Sequence, residues 1–99
     1  MNIFEFTSGM WLFPGETTQW HFISVPKTDG ESIKGSFKKI SRGWGSLRVE
    51  ARIGKTTWKT SIFPDKKRGT YILPIKADVR KKENLSVGDK VSVVLQIVE

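Results

Sequence analysis

The chain of 99 residues contains no cysteine. A disulfide framework, a cysteine-based zinc site and a thiol nucleophile are therefore all excluded, and the composition fits a reducing compartment. His21 is the sole histidine. Metal binding needs further ligands at defined spacing, and acid–base work needs a partner held beside the ring; no such His/Asp/Glu pattern or nucleophile motif is present. Gly43-Trp44-Gly45 lacks the strand-to-helix setting and the Lys-Ser/Thr ending of a phosphate-binding loop. No apolar run approaches the roughly 20 residues that span a bilayer. The stretch from Met1 to Phe13 is apolar in places, but it contains Glu5, has no basic start and shows no small-residue cleavage pattern, so it reads as a strand. These absences lead to one cytoplasmic domain over residues 1–99, with no cofactor, no membrane contact and no enzymatic activity.

Acid is also scarce: 17 Lys and Arg stand against 10 Asp and Glu, a formal charge of +7. Such an excess speeds encounter with any polyanion without choosing among them. The plainer reading is a set of lysines that hydrate the surface. Aromatics are plentiful and charges of both signs occur, which is the composition of a folded protein.

Along the chain, Ile3 to Phe13 reads as a strand ended by Pro14-Gly15, and Trp20 to Val25 as a second, closed by Pro26. A short helix is expected from about Asp29 to Ser41. Thr28 and Glu31 have capping-box spacing, while Ile33, Phe37 and Ile40 form one apolar stripe. Gly35 weakens this helix and Gly43 can close it. Leu47 to Ile53 alternates apolar and charged residues without a fault, so one face is buried. Gly54-Lys55 is a Gly-first hairpin turn. The second half then repeats the order: strand Thr56 to Phe63, polar loop Pro64 to Gly69, strand Thr70 to Ile75, helix Ala77 to Glu83 with Asn84 at its left-handed close, and strand Val91 to Val98. Two strand-strand-helix-strand units, about 1–53 and 54–99, predict a mainly β fold: a small pseudo-twofold split β-barrel with two short helices. In this reading Trp20-to-Pro26 echoes Trp58-to-Pro64, so the two tryptophans hold matching places.

Trp20-x-Phe22 with Pro26, and Val49-x-Ala51-x-Ile53-Gly54, are followed by Trp58-x-Thr60-Ser61-Ile62-x-Pro64, Tyr71-x-Leu73-Pro74-Ile75-Lys76, Val79-Arg80 and Gly88-Asp89-x-Val91. In order and spacing these segments resemble the bacterial domain-of-unknown-function family nineteen-oh-five, from about Ile3 to Val98. The resemblance implies a double-split β-barrel, the class that also holds AbrB and MazE-like DNA-binding proteins. It further implies that relatives are sometimes joined to a bacteriocin-protection domain of the YdeI type, of which nothing is seen here. The loop Lys66-Lys67-Arg68 is more basic than the family pattern, and Glu16 to Gln19 is more polar.

Two candidate sites stand out. Lys76 and Arg80 are four apart on the second helix, and with Lys59 and Ser61 of the neighbouring hairpin they can grip a phosphate or carboxylate. Trp20 and Trp58 can flank a groove there and stack on a ring. The plainer alternatives are a pairing of Arg80 with Asp78, Asp65 or Asp89, and two tryptophans that plug the core. The second set is Lys34, Lys38, Lys39 and Arg42 on the first helix with Lys66, Lys67 and Arg68, which can follow a nucleic-acid backbone. Its plainer alternative is a solvated helix face. Trp44, between two glycines, is a candidate exposed aromatic. The leading expectation is a monomeric or weakly dimeric binding module for a small anionic or aromatic ligand or a protein partner. A DNA-binding regulator of AbrB-like type is the second.

Overall fold

Alternation of buried and exposed positions decides the architecture. Along Leu47–Ile53, the residues Leu47, Val49, Ala51 and Ile53 are buried while Arg48 and Arg52 face water, the pattern of a sheet with one wet side. The computed structural model describes residues 2–15, 19–41 and 45–98. Its strands are β1 (Ile3–Pro14), β2 (Gln19–Ser24), β3 (Leu47–Ile53), β4 (Thr56–Asp65), β5 (Thr70–Pro74) and β6 (Lys90–Ile97). Helix α1 (Lys27–Phe37) follows β2 and runs into a 3₁₀ turn at Lys38–Ile40, and α2 (Ala77–Lys82) follows β5. Every strand pairing is antiparallel, and the sheet closes in the order β1-β2-β5-β4-β3-β6. Met10, Ile23, Leu47, Ile62, Leu73 and Leu95 fill the interior, with Ile33 and Val79 from the helices covering its ends. Among the described residues no helix is long and apolar enough to cross a membrane.

The pairing register contains a local twofold axis. Ile23 lies opposite Leu73, flanked by Phe22 opposite Pro74 and Ser24 opposite Ile72, so each β2 residue corresponds to the one fifty positions later. Backbone bonds repeat the relation: Val25 N–H donates to Tyr71 O at 2.9 Å and Ile75 N–H to His21 O at 2.8 Å. The helices obey it too, with Gly30 N–H donating to Pro26 O (2.8 Å) and Arg80 N–H to Lys76 O (3.1 Å). Trp11, opposite Phe22, corresponds to Phe63, opposite Ile72. Trp58, five residues before Phe63, thus corresponds to Phe6.

This frame corrects the expected match between the two tryptophans. Trp20 sits on β2 and its counterpart is Thr70 on β5, whereas Trp58 sits on β4 and answers to Phe6. An aromatic, alternating apolar residues and a proline recur in any half-buried strand that ends at a turn, so that echo did not mark equivalent strands. The capping box is also absent. Pro26, with φ −55° and ψ 146°, occupies the N-cap position, and no side chain caps the helix, which begins at Lys27. Proline's fixed φ stops the strand and starts the helix at once, leaving Thr28 inside the first turn. Strand β4 continues through Pro64 to Asp65 because Pro64 lies opposite Tyr71 near the end of the ladder, where a missing donor is tolerated. The first positive φ of the Ile53–Thr56 hairpin is at Gly54 (58°), and Asn84 closes α2 with φ 54°, both as the sequence predicts. Gly43 and Trp44 lie outside the described residues, as do Glu16, Thr17 and Thr18.

Gly30 is a tight contact between α1 and β5. A Cβ there would collide with Thr70 Oγ1, the hydroxyl that donates to Val25 O at 2.7 Å. Gly30→Ala therefore breaks or displaces that bond and overpacks the seam. Overpacking and the lost bond outweigh the roughly 1 kcal/mol of helix propensity that alanine adds, so a loss of about 2 kcal/mol is expected in urea unfolding. In a Thr70→Ala background the same substitution should be milder. Equal losses in both backgrounds would show that Thr70 is not the obstacle.

Candidate functional site

The seam between β2 and β5 delivers the start of α2 against β4. Lys76 takes the N-cap position of α2 and Arg80 stands one turn further. With Trp58, Lys59 and Thr60 of β4, and Gln19, Trp20 and His21 of β2, they line a cleft of about 380 Å³ whose floor includes Pro74 and Ile75. Five of the six residues expected to form a ligand site are thus brought together. Ser61 is not: it stands opposite Arg48 on the ladder and does not line the cleft. His21, Gln19 and Thr60 join the set without having been singled out for it; strand parity gives them the opposite face to Trp20 and Lys59, so sequence adjacency was the only signal.

The two tryptophans divide their roles. Trp58 is 8% exposed and belongs to the core, as the plainer reading had it, whereas Trp20 is 53% exposed. The expectation of a core plug is overturned for Trp20, whose ring leaves the barrel because β2 turns its even positions outward near that end. Arg80 donates through Nη1 to Ile75 O at 2.7 Å. None of the aspartates proposed as its partner is engaged with it: Asp78 pairs with Lys82 (3.3 Å), Asp65 with Arg68 (2.9 Å), and Asp89 accepts from Ser86 N–H (2.8 Å). Among the described residues, Lys59, Lys76 and Arg80 have no ion pair, and no carboxylate lines the cleft.

His21 lies within this field. Burial first, and the Arg80 charge second, hold its imidazole below the ordinary 6.5. Its Nδ1 is buried and has no hydrogen-bond partner among the described residues. The ring is therefore neutral at neutral pH, and with Nδ1 buried only Nε2 is left to serve the cleft. Among the described residues no three of His, Asp and Glu converge as metal ligands would.

The twofold axis gives the cleft a counterpart. Gln19, Trp20, His21 and Arg80 correspond to Gly69, Thr70, Tyr71 and Gly30, which line a groove of about 550 Å³ beside α1. Lys34, Lys38 and Lys66 of the nucleic-acid set meet there, but so do Glu31 and Asp65. Lys39 lines neither depression, Lys67 and Arg68 turn to another face, and Arg42 lies outside the described residues.

A domain of unknown function (DUF1905) matches residues 6–95 of the chain. The chain belongs to this family. The match runs from within β1 to within β6 and takes in the four strands and both helices between them. No curated protein matches the chain.

Because His21 is the only histidine, its ring gives one titrating signal by proton NMR. That signal should titrate below 6.5 in the intact protein, and Arg80→Gln should raise the midpoint while leaving it below 6.5, since burial persists. The unfolded chain binds the proton more readily, so the contribution of His21 to stability is complete above pH 6.5 and declines as pH falls below it. A midpoint at or above 6.5 in the intact protein would refute this account of the cleft.

Proposed function

We propose that the chain is a non-enzymatic binding module whose cleft takes a small anion, a phosphate or carboxylate, attached to a planar ring, either free or displayed by a protein partner. The observation that carries the reading is the convergence of Lys59, Lys76 and Arg80 on one cleft with no acid in its lining, beside the exposed ring of Trp20. A charge-assisted bond contributes about 1.5–3 kcal/mol, and a ring contact about 1 kcal/mol more. Two such bonds and one ring contact amount to millimolar to micromolar affinity, the range of a reversible small-ligand site. Arg80 supports the reading further, since its bond to Ile75 O fixes the guanidinium in place and leaves its remaining donors to a ligand.

A regulator that grips duplex DNA has one observation in its favour, the meeting of Lys34, Lys38 and Lys66 in the groove beside α1. Glu31 in the same groove repels a phosphate backbone, while Asp65 there is paired with Arg68, and fold likeness adds little on its own. Recovery of a consistent sequence from a random duplex pool at physiological salt would shift the balance to this second reading.

Titration with phenyl phosphate and with inorganic phosphate, followed through backbone and indole amide signals, tests the first. Phenyl phosphate should bind more tightly, with saturable shifts centred on Trp20, Lys59 and Lys76. Lys59→Ala and Lys76→Ala should each weaken it about tenfold. The absence of saturable shifts up to about 10 mM, below which useful affinity would show, would sink the proposal.

A further inference from the structure

The outer wall of β1, β2 and β4 carries a second, larger feature, and it faces away from the core. Trp11 and Phe13 on β1, Trp20 and Phe22 on β2, and Phe63 on β4 all point outward, at positions of opposite parity to the buried Met10, Ile23 and Ile62. The register places them in ladders: Phe13 opposite Trp20, Trp11 opposite Phe22, and Phe22 opposite Pro74. Phe13 is 54% exposed, Trp20 53% and Phe63 41%. The rings are ordered against each other. Trp11 and Phe22 lie 5.1 Å apart, and Trp20 and Phe22 are nearly parallel, 9° apart in plane at 6.3 Å. Trp11 is pinned by its indole N–H, which donates to Ser24 Oγ at 3.0 Å.

This groove, of about 560 Å³, is edged by Lys66, Lys67 and Arg68. The Arg68 guanidinium sits over the Trp11 ring, 3.9 Å from its centroid, and is braced there by Asp65 at 2.9 Å. Asp65 is the only acid among the described lining residues, and Arg68 already neutralises it.

We propose that this face binds single-stranded nucleic acid, with bases stacked on Phe13, Trp20, Phe22 and Phe63 and phosphates held by Lys66, Lys67 and Arg68. Charge chooses the occupant. A second copy of this chain would bring another basic loop to a face with no free carboxylate to receive it, and each copy carries a net charge of +7. An uncharged proline-rich segment suits aromatic grooves but gains nothing from three cations at the edge. A polyanion gains from Lys66 and Lys67 and from the donors that Arg68 does not give to Asp65, and its affinity falls with salt accordingly. Ring faces select the single strand, because stacked duplex bases offer only their edges whereas an unpaired base offers its π-face. The reading is independent of the cleft, although Trp20 and Pro74 line both.

The test is fluorescence anisotropy with labelled oligothymidine and oligouridine of about 12 nucleotides, within the span that one small barrel covers, and with a duplex of equal length, at physiological salt. Saturable binding of the single strands, clearly tighter than that of the duplex, is expected; the two oligomers separate DNA from RNA as the preferred source. Phe13→Ala and Phe63→Ala should each weaken binding about tenfold. Their melting temperatures should be unchanged, since neither ring is part of the core. Lys67→Ala should weaken binding less and reduce the slope of log affinity against log salt by about 0.7. Equal binding of duplex and single strand, binding unaffected by the two phenylalanine changes, or no binding at all would each overturn the proposal. So would loss of binding on Lys59→Ala and Lys76→Ala alone, which would place the strand in the cleft. Concentration-dependent dimerisation abolished by Phe13→Ala would assign the face to a second copy instead.

Discussion

Everything in this barrel depends on two short seams that join its two three-stranded halves, β6-β1-β2 and β3-β4-β5. Each half is an open set of strands whose outer edges carry unpaired N–H and C=O groups, and such edges must be paired, covered or exposed to aggregation. Here β2 pairs with β5 through Ile23 and Leu73, and β3 pairs with β6 through Arg52 and Val94. Both pairs lie on the local twofold axis, so one arrangement closes both edges. The first seam also sets the site. Because Ile75 N–H is bound to His21 O, the chain leaves β5 in fixed relation to β2, and α2 must begin beside Trp20 and His21. The cleft is a consequence of closure, not an addition to it.

On that symmetric frame the side chains are not symmetric. Val25 O and Ile75 O are equivalent carbonyls just past the two strands. The first is satisfied by the Thr70 hydroxyl and the second by the Arg80 guanidinium. At the first, Gly30 packs its bare Cα against Thr70, and the nearby groove mixes lysines with Glu31 and Asp65. At the second, a cation takes the glycine's place and a tryptophan the threonine's. One structural requirement, a donor for a carbonyl at a seam, is met in both halves. Only one of the two sites meets it with a charged group that retains spare donors, and no acid lines the cleft there.

Much of this was legible in the chain. The strict alternation from Leu47 to Ile53, the Gly54-Lys55 turn and Asn84 fixed three boundaries because each rests on local physics: burial parity, a positive φ, a left-handed cap. The repeated strand-strand-helix-strand order gave the barrel, and the spacing of Lys76 and Arg80 gave half of the cleft. The parts that failed were those decided between strands. Which strand of one half answers to which of the other is a matter of register, and the Trp20–Trp58 echo carried no register. Thr28 and Glu31 had the spacing of a cap, but Pro26 started the helix before they could act as one. The exposure of Trp20 depended on which parity of β2 faces the core, a choice made by Ile23 against Leu73 across the seam. The outer aromatics were readable in principle, since Trp11, Phe13, Trp20 and Phe22 share the parity that the aliphatic residues avoid.

That separation by parity bears on why the outer rings exist. The interior is filled by aliphatic side chains with Trp58, Phe37 and Tyr71, and all 19 of its residues are at most 8% exposed, so folding draws little from Phe13, Trp20 or Phe63. Rings on an outer wall carry a standing liability, because contiguous exposed apolar surface promotes association. A high net charge counters that tendency, yet lysines spread anywhere on the barrel would serve for it. Instead, three basic residues follow one another in the loop that borders the rings, and one of them is held over Trp11 and braced by Asp65. Solubility does not require a stacked and anchored guanidinium. An edge of this kind suits the planar, negatively charged partner proposed above, and the cleft on the other side of Trp20 is composed in the same way, with cations beside a ring and no acid in its lining.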